Sequence, residues 1–271
     1  MNNLVSVIMP YFNKKNYFLE SINSALNQTH TNLEILIIYD DQNRDDLEYI
    51  ESCIRNDSRV KIIINDKNEG AAYSRNKAIS MARGEYIALL DCDDYWKTNK
   101  IELQLYFMLN HGYDFSHTTY QIINYDREIV GKVRAQGIIR YKKLLKSCDI
   151  ALSSVILKRK LLNDMEFPEL KTKEDYVLWL GLARKSVNLA GLDKSLMFWR
   201  QTSNSLSSSI LQKLKDAFKV YYLYEKKNLF YSIFCVIRLS VYALFKKINY
   251  TCQFFKFKNN ERTYSCNSCK R

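Results

Sequence analysis

The sequence predicts an α/β protein whose mostly parallel central sheet carries helices on its faces. Short apolar runs rich in valine and isoleucine alternate with segments of helical periodicity through the first 91 residues. Each run ends at polar residues, as strands do where they reach the edge of a sheet. The chain has 271 residues, 47% of them apolar and 26% charged, which suits one large α/β domain with an appendage, or two modest domains.

The first half of the chain alternates strand and helix. Strands are predicted at residues 4–9, 33–38, 60–64 and 87–90, and helices at 17–28, 45–54 and 71–82. This order requires right-handed crossovers between parallel strands. Ligands of such sheets bind beyond the carboxyl ends of the strands.

The sequence pattern of the second half of the chain predicts helices and strands in a less regular order. Helices are predicted at 101–109 and 141–146, strands at 114–120, 121–124 and 151–157, and a polar hairpin or connection at 125–136. Another helix begins near Lys173. His117 has two interpretations, as a contact to the acceptor or donor of a reaction, or as a polar strand residue without such a role.

Three carboxylates follow the fourth predicted strand. Asp91, Asp93 and Asp94 need a cation, a ligand or solvent, because an unpaired buried carboxylate is costly. Asp91 and Asp93 are separated by one residue and can converge on one hard ion such as Mg2+ or Mn2+. The alternative is an acidic turn that caps the helix expected from about Thr98. Polar residues at the ends of the first two strands favour the metal site.

A glycine turn opens the helix at residues 70–76, GAAYSRN. Helix N-termini and arginine side chains both suit anions, so Arg75 is a candidate phosphate ligand. The segment is neither a Gly-rich phosphate loop ending in Gly-Lys-Ser/Thr nor a dinucleotide fingerprint. Taken alone, Arg75 would be interpreted as a solvated surface charge.

The net charge of +12 is concentrated in the tail. Residues 208–271 contain thirteen Lys/Arg and three Asp/Glu, whereas residues 1–207 contain twenty-eight and twenty-six. Residues 229–245 are nearly all apolar, apart from Arg238, and have lysines on both sides. They can lie on an anionic membrane surface, pack on the preceding domain or span a membrane; the central arginine and short length favour the surface.

The compartment is expected to be cytoplasmic, with peripheral attachment to the inner membrane. No basic segment precedes residues 4–9, which are too short for a signal peptide core. Seven scattered cysteines indicate reduced thiols. Cys266 and Cys269 have zinc-like spacing but no second pair, so a frayed terminus is preferred. The apolar run of the tail fits lipid better than nucleic acid, and no nucleic-acid partner is expected.

Several motifs occur in a characteristic order. They are VSVIMPYFN at 5–13, SALNQT at 24–29, the aspartates after Ile38, GAAYSRN at 70–76 and LDCDDYW at 90–96. Together they resemble the successive motifs of family 2 glycosyltransferases with the GT-A fold, over roughly the first 205 residues. Within that family the likeness is to bacterial enzymes that build O-antigen, capsule or teichuronic-type surface polysaccharides.

The resemblance implies a donor site at the strand ends. The nucleotide, usually uridine diphosphate, would be held by Pro10, Tyr11, Asn13, Asp41 or Asp40, and Arg75. Asp91 would face the ribose and the metal, and Asp93 would coordinate Mn2+ or Mg2+ bridging the phosphates. Residues 40–43 read Asp-Asp-Gln-Asn where the family usually has Asp-Asp-Gly-Ser, which alters the loop around the base.

The resemblance also implies a catalytic pair. Glu174 and Asp175 begin a helix, where the macrodipole alone would stabilise them. In inverting members the Asp of this pair is the general base, so Asp175 would take the acceptor proton while Glu174 positions it or the acceptor. Arg200, in a stretch that closes over the diphosphate, would contact phosphate. Gln201 and Thr202 stand where many members have a histidine.

The implied enzyme is an inverting glycosyltransferase. Residues 1–207 would form the catalytic domain and residues 208–271 a basic, aromatic helical tail at the membrane surface. The sugar would pass from a UDP-sugar to a hydroxyl of a saccharide on a polyprenyl diphosphate. The alternatives are a nucleotide-sugar-binding protein without turnover and a nucleic-acid binder using the tail.

Overall fold

The computed structural model describes residues 3–54, 57–135, 137–202 and 209–245. Within these ranges ten strands form one sheet. The strands are β1 (Val5–Tyr11), β2 (Leu33–Tyr39), β3 (Val60–Ile64), β4 (Tyr86–Leu89), β5 (Tyr95–Trp96), β6 (Phe115–Ile123), β7 (Ile129–Val133), β8 (Gly137–Ile139), β9 (Ile156–Lys158) and β10 (Leu189–Arg200). The helices are α1 (Lys15–Leu26), α2 (Leu47–Ile54), α3 (Ala71–Met81), α4 (Lys100–His111), α5 (Tyr141–Leu144), α6 (Glu174–Arg184) and α7 (Ile210–Lys219).

The strand order is β3-β2-β1-β4-β9-β6-β10-β5, with β7 beside β6 and β8 beside β10. Strands β3, β2, β1 and β4 are parallel neighbours. Strand β9 runs antiparallel to both β4 and β6, and β6 is parallel to β10. Six strands therefore point the same way, which confirms the predicted mostly parallel α/β sheet and gathers their carboxyl ends at one edge.

Both faces of the sheet are buried, because side chains alternate along each strand. On one face Val7 and Met9 of β1 join a core that also contains residues of α1, α2 and α4. On the other face Ile8 joins a core made with α3 and α6. The continuous apolar runs of β1 and β2 are explained by this two-sided burial.

Most predicted elements are present, with shifts at their ends. Residues 151–157, predicted as one strand, instead form a 3-10 turn at Leu152–Ser154 followed by the short β9. The two strands predicted between 114 and 124 are one strand, β6. Strand β10 has no counterpart among the predictions, because its exposed middle interrupts the apolar pattern.

The described part of the tail packs on the preceding domain. Val220, Tyr221 and Cys235 are fully buried in the same core as α3 and α6. Asp216 accepts hydrogen bonds from the backbone N and Oγ1 of Thr172, at 3.0 and 2.9 Å. The apolar core thus continues across residue 207, and one of the three alternatives for the tail, packing on the domain, applies to residues 210–235.

Residues 229–245 are helical. Arg238 donates to the backbone oxygen of Leu145 across 2.9 Å, so this arginine faces the domain. Among the described residues no helix is long and apolar enough to cross a membrane. Residues 246–271, including Cys266 and Cys269, lie outside the described ranges.

Candidate active site

The acidic loop after β4 lies at the carboxyl edge of the sheet. Asp91 and Asp93 keep 33% and 17% of their side chains exposed, whereas Cys92 between them is buried in the core. This alternation places two carboxylates on the open side of the loop. Ser153 Oγ accepts a hydrogen bond from the backbone N–H of Asp91 at 3.1 Å, which fixes the start of the loop.

Asp94 has a different environment from its two neighbours. It is buried, and it accepts a hydrogen bond from Ser153 Oγ at 2.6 Å and from the backbone N of Arg200 at 3.0 Å. Burial, followed by repulsion from Asp93 and Asp91, raises the pKa of Asp94 well above its usual value. The capping role considered for Asp94 is wrong, because α4 begins six residues later, at Lys100, and Asn99 is at its N-cap position. Asp94 instead joins the acidic loop to the end of β10.

Arg75 joins the acidic loop to helix α6. Its side chain is buried on α3; Nη2 donates to Asp91 Oδ1 across 2.7 Å and Nη1 to Glu174 Oε1 across 2.6 Å. Its guanidinium carbon lies 5.5 Å from the centre of the Phe167 ring. The surface-charge interpretation of Arg75 is therefore wrong, because its buried planar guanidinium pairs with two partly exposed carboxylates.

Asp40 and Asp41 at the end of β2 differ in their availability. Asp40 is buried and accepts from Asn65 Nδ2 at 2.7 Å and from the backbone N–H groups of Glu69 and Gly70 at 2.9 and 2.8 Å. Gly70 has a φ of +89°, which lets the chain turn into α3 above Asp40. Among the hydrogen bonds of the described residues, Asp41 Oδ1 accepts one from the backbone N–H of Asn43, in its own turn, at 3.2 Å. Of the two predicted candidates, Asp41 is the one left open to a ligand.

The end of β1 forms the wall next to this loop. Tyr11 is buried, stacks on Tyr39 with ring centres 5.2 Å apart, and donates its hydroxyl to Asp46 across 2.6 Å. Burial and Asp46 raise the pKa of Tyr11. Pro10 is partly buried and Asn13 is exposed with a φ of +47°. The β1 segment thus contributes a rigid aromatic wall, with Asn13 at its open end.

Helix α6 presents its first turn to the same edge. Glu174 forms an ion pair with Arg75, while Asp175 Oδ1 accepts a hydrogen bond from the backbone N–H of Tyr176 at 2.7 Å. Burial, together with the charge of Glu174, raises the pKa of Asp175 to about 7, although Arg75 and Lys173 act in the opposite direction. A carboxylate with this pKa holds and releases a proton near neutral pH, as a general base must.

Arg200, at the end of β10, is buried beneath the acidic loop. Its Nε donates to the backbone oxygen of Asp93 across 3.0 Å, and its guanidinium pairs with Glu20 between the rings of Tyr17 and Tyr95. In this position Arg200 fixes the loop that carries Asp93. Its predicted contact with phosphate stays a prediction.

The comparison with known families agrees with this arrangement. The model of Glycosyl transferase family 2 matches residues 6–165, more than half of the chain. The chain belongs to this family. The match covers the ends of β1, β2 and β4, the acidic loop and Arg75, whereas Glu174, Asp175 and Arg200 lie outside it.

Two relatives extend the likeness beyond the matched residues. One is the Escherichia coli UDP-Glc:alpha-D-GlcNAc-diphosphoundecaprenol beta-1,3-glucosyltransferase WfgD, 39% identical over 80% of this chain and 85% of that protein. The other is the putative teichuronic acid biosynthesis glycosyltransferase TuaG of Bacillus subtilis, 32% identical over 90% of this chain and 98% of that protein. The family 2 chain is thus similar to bacterial polysaccharide glycosyltransferases.

A solved structure supports the GT-A fold. The mannosyltransferase PcManGT of Pyrobaculum calidifontis, in complex with GDP-Man and Mn2+, superposes with a TM-score of 0.64 at 12% identity. The superposition covers 84% of this chain and 66% of that one. Identity this low supports the shared fold alone.

The acidic loop offers only part of the coordination shell of a divalent ion. No group of three or more His, Cys, Asp or Glu side chains in the described ranges could hold a metal ion unaided. Asp91 and Asp93 nevertheless offer two carboxylates on one open edge, and Mg2+ or Mn2+ commonly uses one or two carboxylates when substrate phosphates complete its shell. The family 2 site therefore fits an ion shared with a donor, rather than a closed protein site.

His117 lies inside the sheet rather than at its edge. It is 1% exposed, and neither ring nitrogen has a hydrogen-bond partner within the described structure. Burial lowers its pKa to about 4, so the ring is neutral at physiological pH. This environment favours the polar strand residue over a contact to a sugar.

Three residues around the acidic loop were not identified from the sequence; two contact the loop, and Glu20 contacts Arg200. Lys14 lies 2.7 Å from Asp93, Ser153 holds both ends of the acidic loop, and Glu20 pairs with Arg200. Ser153 had a weak signal, because buried carboxylates require donors and residues 151–157 contain two serines. Lys14 directly follows a recognised motif, but no pattern distinguishes it from its neighbour Lys15.

Proposed function

We propose that the protein is an inverting glycosyltransferase that moves a sugar from a UDP-sugar to a hydroxyl of a lipid-linked saccharide. The observation that carries this proposal is the Arg75 bridge between Asp91, at the donor edge, and Glu174, beside the candidate base. Turnover requires a donor site and a base at one place. A nucleotide-sugar-binding protein without turnover would have no use for a partly buried carboxylate with a pKa of about 7 next to that site.

On the donor side, Asp93 and Asp91 would hold Mn2+ or Mg2+ together with the donor phosphates. The bound ion would neutralise charge that grows on the leaving diphosphate. Asp41, Arg75 and the β1 end would orient the nucleotide. Arg200 would act indirectly, because its hydrogen bond fixes the backbone of Asp93. A direct contact with phosphate would add to that role.

On the acceptor side, Asp175 would accept the proton of the attacking hydroxyl. The oxygen would bond to the anomeric carbon on the face opposite the leaving diphosphate, so the configuration would invert. Glu174 would position Asp175 and tune its charge, because it holds Arg75 and raises the pKa of its neighbour. A base that is half ionised near neutral pH suits this proton transfer.

The relatives support the choice of substrates. The name of WfgD states a UDP-Glc donor and an acceptor on diphosphoundecaprenol, and that of TuaG states teichuronic acid biosynthesis. We infer a UDP-sugar donor, an acceptor saccharide on a polyprenyl diphosphate, and a place in bacterial surface polysaccharide biosynthesis such as O-antigen or capsule. The structure of PcManGT, with its Mn2+ and GDP-Man, supports use of a divalent ion.

We place the reaction at the cytoplasmic face of the inner membrane. The helical residues 229–245 keep large apolar side chains exposed, including Phe230 at 83%, while Arg238 turns toward the domain. Lysines lie on both sides of this helix. An apolar face edged by cations suits an anionic lipid surface, where it would hold the enzyme in the plane of a lipid-linked acceptor.

The proposal is tested with a donor screen on purified protein, Mn2+ and a synthetic lipid-diphosphate saccharide. Transfer from one UDP-sugar, with an inverted anomeric product by NMR, is expected. Asp175→Asn should abolish transfer and leave UDP binding intact, because the amide keeps the contact with Tyr176 but cannot accept the proton. No transfer and no donor hydrolysis from any common nucleotide sugar would instead favour the binding protein.

A further inference from the structure

We infer that Lys14 is the resident cation of the acidic loop, occupying the Asp93 oxygen in the donor-free protein and competing there with the divalent ion. The protein would then take up the ion together with a nucleoside diphosphate, and only weakly by itself. This inference rests on the proposed function, because it concerns the ion assigned to Asp93.

The contact is direct. Lys14 Nζ lies 2.7 Å from Asp93 Oδ2, with 21% and 17% of the two side chains exposed. Thr202 Oγ1 lies 3.5 Å from both Lys14 Nζ and Asp93 Oδ2. Thr202 therefore faces both the lysine ammonium and the carboxylate.

The backbone fixes Lys14 at this place. Lys14 precedes α1, and its backbone oxygen accepts the N–H groups of Tyr17 and Phe18, both at 3.0 Å. The next residue, Lys15, points elsewhere and lies 3.1 Å from Asp46. Two adjacent lysines thus have separate carboxylate partners, and only the first reaches the acidic loop.

Charge balance explains why Asp93 needs Lys14. Asp91 is compensated by Arg75, and Asp94 is held by a hydroxyl and a backbone N–H. Within the described ranges, Lys14 is the cation that pairs with Asp93. Without it, the loop would hold an uncompensated carboxylate next to two others, which is unfavourable at this degree of burial.

The same pairing weakens metal binding in the absence of a donor. Lys14 must leave Asp93 Oδ2 before a divalent ion can use that oxygen, and the ion pair is lost in the exchange. A partly exposed pair of this kind corresponds to about a fivefold change in a binding constant. A bound nucleoside diphosphate offers the lysine another anion, so nucleotide and metal should strengthen each other's binding reciprocally.

The test measures Mn2+ binding by the EPR signal of free Mn2+, with and without UDP. Wild-type protein is compared with Lys14→Met and Lys14→Gln, which remove the charge, and with Lys15→Met as a matched control. Without UDP, both Lys14 variants should bind Mn2+ about fivefold more tightly than wild type, and Lys15→Met should match wild type. The factor by which UDP tightens Mn2+ binding should shrink in the Lys14 variants only.

The outcomes separate the two proposals. If wild type binds Mn2+ with UDP but neither Lys14 variant gains affinity without it, Lys14 does not compete and the inference is wrong. If wild type binds no Mn2+ even with UDP, the metal site of the proposed function is wrong, and the inference about Lys14, which depends on it, is wrong as well. Circular dichroism of each variant confirms folding, and the second substitution guards against misfolding of the first.

Discussion

Arg75 donates from Nη1 to Glu174 Oε1 across 2.6 Å, although the two residues are 99 positions apart in sequence. Its other terminal nitrogen lies 2.7 Å from Asp91. One buried guanidinium therefore sets the distance between the acidic loop and the first turn of α6. The rigid geometry of its two-nitrogen fork makes this distance a fixed property of the folded protein.

Arg75→Lys should lower kcat about 100-fold or more, with a smaller effect on UDP binding. A lysine has one ammonium and cannot reach both carboxylates, so Asp91 or Glu174 loses its ion pair and the spacing between them is no longer fixed. Steady-state kinetics and calorimetric UDP binding measure the two effects. The matched control is Arg83→Lys, whose exposed side chain pairs with one carboxylate, Glu34, and which should change kcat little. Equal kinetics for Arg75→Lys and wild type would show that the bridge is not needed for turnover.

The pH dependence of kcat/KM should have an acidic limb with a midpoint near 7, the pKa of Asp175. Below the midpoint the base is protonated, and the rate should fall tenfold per pH unit. Glu174→Gln should move this midpoint to lower pH, because the neighbouring negative charge that raises the pKa is removed. The measured quantity is the pH midpoint of kcat/KM and not the rate itself. A shifted midpoint reports a changed pKa of Asp175, whereas a general loss of activity would lower the rate at every pH. A midpoint that stays in place or rises would rule out this role of Glu174.

Asp175→Asn should stabilise the protein at alkaline pH while it abolishes transfer. The pKa of Asp175 is raised on folding, so the folded state resists ionisation, and stability is lost as pH rises from about 4 through about 7. Asparagine does not ionise, so the variant avoids this loss of unfolding free energy, which amounts to a few kcal/mol at most after solvent screening. Thermal unfolding at pH 4.5 and pH 8 should show a Tm gain of several degrees only at pH 8. A gain independent of pH would indicate a packing effect instead.

The first half of the fold was predictable because each strand and helix has its own periodicity. Strand β3, Val60–Ile64, agrees with its prediction at both ends, and β1, β2 and β4 agree within a few residues. Strand β10 was missed because tertiary pairing with β6 stabilises a segment whose middle is polar and exposed. Local pattern cannot report such pairing.

The site was predictable as residue types but not as partners. Asp91, Asp93 and the Glu174–Asp175 pair were recognised from motifs, and the structure brings Asp91 and Glu174 to opposite sides of Arg75. The partner of Asp93 was not recognised, because Lys14 is one of forty-one Lys and Arg residues. Which cation reaches which carboxylate depends on three-dimensional packing that spacing does not encode.

Asp94→Asn should retain Mn2+ and UDP binding, in contrast to Asp93→Asn. Burial and two neighbouring carboxylates raise the pKa of Asp94, and an amide keeps the shape of the carboxyl group without its charge. Asparagine can still accept from the backbone of Arg200 and contact Ser153, so we expect a stability change under about 1 kcal/mol. Mn2+ EPR on the two isosteric variants makes the comparison. Equal loss of Mn2+ in both would make Asp94 a metal ligand and the structural role wrong.

The exposed face of the helical residues 229–245 should bind anionic membranes. Phe230 and Phe234 are exposed one helical turn apart, while Ser232 and Cys235 are fully buried against the domain, so the outer aromatics are free to enter lipid. Wild-type protein should float with phosphatidylglycerol vesicles, less so at high salt, and the double variant Phe230→Glu, Phe234→Glu should bind at least tenfold more weakly.

The matched control is the double variant Tyr106→Glu, Leu109→Glu, which changes an exposed apolar pair on α4 and should float like wild type. Transfer to a water-soluble acceptor should be the same in all three proteins, because the helix face is not part of the site. A wild-type protein that shifts RNA but ignores vesicles would overturn the membrane assignment and favour a nucleic-acid role for the basic tail.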